Sequence, residues 1–282
     1  MDEQEIKNTI IRLAKEYNKA EYFKTDPIIF PKHFYRLFKG QDNIGCESQF
    51  PIPKDYNVSL QDIEIAAVIA AHLAWGRREL IVRDITRAMD EMRWRPYEYV
   101  MKGKYKDCNE SLHRTIKWCE FAQICSNLKD YYTNNDTLEP LSPDQFRVII
   151  FDKEPDKNAA NKKIHMLRRW MVRNDGIVDM GIWKSISPSE LIIPLDVHVH
   201  RTAMWLGITK RKSADITTAR EITEYLKSIF PQDPVIGDFA LFAYAASMKR
   251  SVGVGLLCKE GIESKEGKES IESIEGKERK ES

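Results

Sequence analysis

Apolar residues recur at spacings of three and four along most of the chain, the periodicity of helices with one buried face. Ile81, Ile85, Ala88, Met89 and Met92 form one such stripe. Leu112, Ile116, Cys119, Ala122 and Cys125 form a second, and Ala219, Ile222, Leu226 and Ile229 a third. Leu60 to Trp75 is apolar on almost every side, which predicts a central helix surrounded by others rather than a surface one. Alternating β-branched residues joined by Asn-Gly or Asp-Gly turns are nearly absent. The predicted class is therefore all-α.

Helix breakers divide this pattern. Pro27, Pro31, Pro51 and Pro53 predict an irregular N-terminal connection, Thr133 to Pro143 a second, and Asp152 to Asn161 a third. Ser187-Pro188-Ser189-Glu190 has the chemistry of a capping box, with Ser before the first helical residue, Pro at that residue and Glu two further on. It predicts a short helix or turn, closed by Pro194.

Composition narrows the setting. With 282 residues and 42% hydrophobic content the chain can fill one large core or two coupled ones. No apolar run reaches the length of a membrane span, and Met1-Asp2-Glu3-Gln4-Glu5 does not resemble a secretory signal, so no membrane partner is expected. Five cysteines is an odd number, which favours a reducing cytoplasm. No two of them form a CxxC pair, so neither a zinc ribbon nor an iron–sulfur cluster, nor any other cofactor or metal, is expected. Residues 259–282 repeat Lys, Glu, Ser and Gly without an aromatic residue and predict a disordered tail behind a single helical unit, 1–258. Without the tail the balance is 38 basic against 35 acidic residues, which neither demands nor excludes a nucleic-acid partner.

The candidate chemistry lies late in the chain. In Pro194-Leu-Asp-Val-His-Val-His-Arg201, Asp196 follows a turn and precedes a helix ended by Gly207. That is an N-cap position, where free amides and the helix dipole keep a carboxylate ionised. Lys162, Lys163, Arg168, Arg169 and Arg173 form the densest basic stretch outside the tail. Lys162, Arg169 and Arg173 lie near one helical face and Ile164, Leu167 and Met171 on another, which lets one face meet phosphates while the other packs. Asp238 and Phe242, four apart, share a helix face. Trp75-Gly-Arg77-Arg78 ends the buried helix with an aromatic ring and two cations. Asp196 and His200, with a distant His72 or Asp179, offer a competing metal-hydrolase reading.

The stretch around Asp196 resembles the helix-hairpin-helix DNA glycosylases, in which a catalytic Asp opens a helix in sequences of the form Val-Asp-Thr-His-Val-x-Arg. Leu195, Asp196, His198, Val199 and Arg201 fall on that pattern. Ile65 to Arg78 looks like the buried early helix of that superfamily, ending beside the substrate nucleotide. Asn161-Lys162-Lys163-Ile164 is similar to the helix opening that carries the nucleophilic Lys in archaeal 8-oxoguanine glycosylases, and Asp238 to Phe242 resembles a late helix that contacts the flipped base. Met166 to Asp175 and Gly181 to Pro188 are similar to runs in a bacterial family of unknown function, DUF2400, a likeness covering most of residues 5–245. The superfamily's Gly-x-Gly hairpin before Lys-Thr-Ala has no counterpart in this sequence.

The resemblance implies a two-lobed helical bundle and excision of a damaged base, such as 8-oxoguanine, from double-stranded DNA. It implies Lys162 as the nucleophile and Asp196 as its electrostatic partner. Asp238, Phe242 and Trp75 would form the base pocket. Arg77, Arg78, Lys163, Arg168, Arg169, Arg173, His198 and Arg201 would touch nucleic acid. The alternative is a nucleic-acid-binding module that keeps the fold without the chemistry.

Overall fold

The computed structural model describes residues 2–41, 50–51 and 55–244. The 259–282 tail lies outside them.

The chain is predominantly helical. In order it forms α1 (Glu3–Tyr17), α2 (Ile29–Phe38), α3 (Leu60–Leu73), α4 (Arg78–Glu91) and α5 (Pro96–Lys102). A hairpin of β1 (Ser111–His113) and β2 (Ile116–Lys117) comes next. Then come α6 (Trp118–Tyr132), the short α7 (Pro143–Gln145) running into a π-turn (Phe146–Ile150), α8 (Lys162–Val172), α9 (Val197–Trp205) and α10 (Ile216–Lys227). The helix α11 opens at 237 and is described to 244. Among the described residues no helix is long and apolar enough to cross a membrane.

α3 is the axis of the larger core. Ser59 accepts from the Asp62 amide, the Asp62 carboxylate accepts from the Ser59 amide, and every side chain from Asp62 to Leu73 is buried. A helix apolar on all sides has no solvent face and must be enclosed; α2, α4, α5 and α8 enclose it. Glu64 is a buried carboxylate that the core accommodates. Its carboxylate accepts from the Tyr132 hydroxyl, the Thr137 hydroxyl, the Leu138 amide and the Trp183 indole.

A second cluster of buried side chains joins the two ends of the chain. Ile10, Leu13 and Ala14 of α1 pack with Val199 and Ala203 of α9 and with Ala219, Ile222 and Leu226 of α10. α11 belongs to both cores, because Phe239 is in the first cluster while Ala240 and Leu241 are in the second.

Two expectations need correction. The stripe from Leu112 to Cys125 is not one helix. Its first part is the β1–β2 hairpin, turned by Arg114 at φ 54°, and α6 begins only at Trp118. Leu112 and Ile116 are buried from two short strands, so the spacing of four arose without a helical turn between them. Pro31 does not interrupt a connection but sits in the first turn of α2, where its missing N–H has no acceptor within the helix. The Ser187 capping box forms as expected around the 3₁₀ turn Pro188–Glu190.

Candidate functional site

Three helix openings supply the site. Asp196 is the N-cap of α9; its Oδ1 accepts from the His198 amide at 2.8 Å and the Val199 amide at 2.9 Å. Lys162 is the first residue of α8, placed there by Asn161 in the left-handed region at φ 46°. Asp238 lies in the first turn of α11.

The lysines of α8 reach the carbonyl end of α3. Lys162 Nζ donates to the Ala74 oxygen at 3.4 Å and Lys163 Nζ to the His72 oxygen at 2.6 Å. Two ammonium groups thus stand where the α3 dipole is negative. Burial, with help from Lys162 and Lys153, nevertheless lowers the Lys163 ammonium to about 8.

Asp238 connects the openings electrostatically. Burial raises its carboxyl to about 6; Arg169 opposes the shift, the charge of Asp196 adds to it, and Lys162 opposes it again. Lys162 and Asp196 therefore each stand within electrostatic reach of Asp238. Two carboxylates in one place with different environments, one capping a helix and one buried beside a cation, can divide acid and base roles.

Behind Asp238 runs a buried ionic chain. Arg169 Nη1 donates to Asp238 Oδ2 at 2.6 Å, and Arg169 Nε stands 3.4 Å from Asp179. Arg173 binds Asp179 at 2.8 Å, Asp175 at 2.7 Å and Asp233 at 2.7 Å. Both guanidinium groups lie over the Phe239 ring, with centroid distances of 4.7 and 5.1 Å. Burial disfavours the charge on Arg173, but its carboxylate neighbours outweigh that and hold it protonated. Asp179 is raised by burial, with Arg169 and Arg173 opposing.

This chain overturns the expectation that Arg169 and Arg173 face phosphates. They are only 5% and 2% exposed, and their donors are directed to carboxylates. Basic residues four apart usually mark a solvent-facing side of a helix. In the sequence the telling signal is acidic: Asp175, Asp179, Asp233 and Asp238 supply the counter-charge that lets a basic face turn inward. Arg168 is half-buried and donates to the Leu141 carbonyl. Lys163 likewise points inward, at His72.

The other expected residues are distributed around the openings. Arg77 and Arg201 are exposed. Arg78 is half-exposed, donating to the Tyr22 carbonyl and lying 3.9 Å from Asp26. Phe242 is 42% exposed and meets the His198 ring edge-on at 6.4 Å. Trp75 is half-buried, and the guanidinium of Arg114 lies over its ring at 4.2 Å, so that ring cannot offer both faces to a base.

The metal-hydrolase constellation is not assembled. His200 Nε2 is hydrogen-bonded to the Arg211 carbonyl, Asp179 lies between two guanidinium groups, and His72 is buried against Phe151. Among the described residues no group of three His, Cys, Asp or Glu side chains is placed to hold a metal ion.

The protein is predominantly helical, and Lys162 and Asp196, each at the opening of a helix, are both coupled electrostatically to Asp238. The chain belongs to the family described as "Protein of unknown function (DUF2400)", whose model matches residues 50–145 and 142–247. No curated protein and no solved structure matches it.

Proposed function

We propose that this protein is a DNA glycosylase with lyase activity that excises an oxidised purine such as 8-oxoguanine. The observation that carries the reading is that Lys162 and Asp196, at two helix openings, both lie within electrostatic reach of Asp238 at a third. A glycosylase must bring an amine and an anion to one anomeric carbon, after the nucleotide has been extruded from the stack.

In this reading the Lys162 amine attacks C1′, the glycosidic bond breaks, and the base leaves with the bonding pair and accepts the proton that the Lys162 nitrogen releases through a neighbouring carboxylate. Ring opening then yields a Schiff base. Loss of the C2′ proton expels the 3′ phosphate and cuts the strand. Asp196, oriented by the His198 and Val199 amides, stabilises the cationic sugar. Asp238 is oriented by Arg169 through Oδ2, and among the described residues its Oδ1 has no hydrogen-bond partner, leaving an acceptor for the donor edge of a purine. Phe242 supplies an exposed ring for that base.

Borohydride trapping on a duplex containing 8-oxoguanine tests the assignment. A covalent adduct from the wild type that disappears in Lys162→Ala is expected. Tight duplex binding with no adduct on any lesion would replace the enzyme by a binding module on the same fold. Activity abolished by chelators would contradict a Schiff-base lyase.

A further inference from the structure

The β1–β2 hairpin is fastened to the end of α3 by an unusual set of contacts. His113, fully buried, bonds through Nδ1 to Asp84 at 2.8 Å and through Nε2 to the Trp75 carbonyl at 2.9 Å. Arg87 donates to the Leu112 carbonyl at 2.8 Å. At the tip Arg114 holds a left-handed backbone at φ 54°, and its side chain lies flat across Trp75 at 4.2 Å. Gly76, at φ 100°, makes room: a Cβ there would stand 2.6 Å from Arg114 Nη1.

Arg114 is exposed, and among the described residues no carboxylate pairs with it. Arg77 and Lys117 are also exposed, as are Arg83 and Arg87, which pair with Asp84. The edge continues into the candidate site, because the residue before Trp75, Ala74, receives the Lys162 hydrogen bond. An arginine stacked on an indole has lost much of its rotamer freedom before any ligand arrives, and its planar fork matches the oxygens of a phosphate. A cation held this way is positioned for an anion that approaches from solvent.

We infer that the β1–β2 hairpin is a phosphodiester grip, in which Arg114, oriented by Trp75 and Gly76, binds the DNA backbone beside the extruded nucleotide. This rests on the glycosylase reading for the identity of the strand, but the contact is with phosphate and needs no chemistry on the base.

The test is fluorescence anisotropy of the full chain with a labelled lesion-containing duplex, over about 50 to 200 mM KCl, where each phosphate contact contributes about 0.9 to the log–log salt slope. Arg114→Gln should weaken binding by about tenfold and lower that slope by about 0.9. Arg114→Lys should restore the slope and only part of the affinity, because an ammonium is a point charge without the fork. An Arg114→Gln slope equal to that of the wild type, or no duplex binding by the wild type, would overturn the grip. The two readings fail separately. No trapped adduct with the slope change intact removes the glycosylase and leaves the grip; an adduct formed normally with no slope change removes the grip alone.

Discussion

Arg169 and Asp238 tie the two hydrophobic clusters together through one hydrogen bond of 2.6 Å from α8 to α11. The carboxylate that the site presents is therefore fixed from behind by a buried cation. A carboxyl raised by burial binds its proton more tightly in the folded than in the unfolded chain, so its contribution to stability is greatest below about 4 and is lost as pH rises through about 6. Comparing the thermal stability of wild type and Asp238→Asn from pH 4 to 7 should show the wild type losing ground over that interval. A carboxyl carbon titration by NMR should place the Asp238 midpoint near 6; a midpoint at or below 4 would refute it.

Lys163 carries the opposite sign. An amine lowered to about 8 binds its proton less tightly when folded, so the wild type should gain stability relative to Lys163→Met as pH rises from about 8 to about 10. Denaturant melts across that range check the slope, and a flat difference would mean that the Lys163 amine is solvated.

Asp196 has a structural and a proposed chemical role that two substitutions separate. Asp196→Ala removes the acceptor for the His198 and Val199 amides and should cost about 1 kcal/mol. Asp196→Asn keeps a good cap and removes the charge, so stability should change by a few tenths of a kcal/mol while strand cleavage falls by about 100-fold or more. Equal activity in Asp196→Asn and wild type would reduce Asp196 to a cap.

Glu64 faces four donors, two on each oxygen. Glu64→Gln turns an NH₂ group toward one pair of them and should cost about 2 to 3 kcal/mol, measured by urea unfolding. The effect should appear in stability and not in the affinity for DNA, since all four donors belong to the larger core.

How much of this was legible from the residues alone depends on where each determinant lies. The buried α3, the stripes of α4 and α10 and the Ser187 cap are local matters, set by periodicity and by a few backbone amides. So is the Asp196 cap, because an N-cap is decided within three residues. The second stripe failed because Leu112 and Ile116 are buried from the two arms of a hairpin, whose anchor is the distant pair Asp84 and Trp75. A spacing of four does not reveal whether the chain between has turned.

The sequence by itself determined the helical class and the chemistry available at each helix opening. Only the tertiary structure decided which charges meet. Arg169 and Arg173 carry the same formula as exposed phosphate ligands, yet they are buried because Asp179, Asp233 and Asp238 arrive from segments that local pattern cannot connect to α8. Conversely Arg114, unremarked in the linear pattern, stands over Trp75 because β1 and β2 fold back onto the end of α3. Desolvation and Coulomb energy depend on distances between remote parts of the chain, so the partner of a charge is a property of the packed molecule.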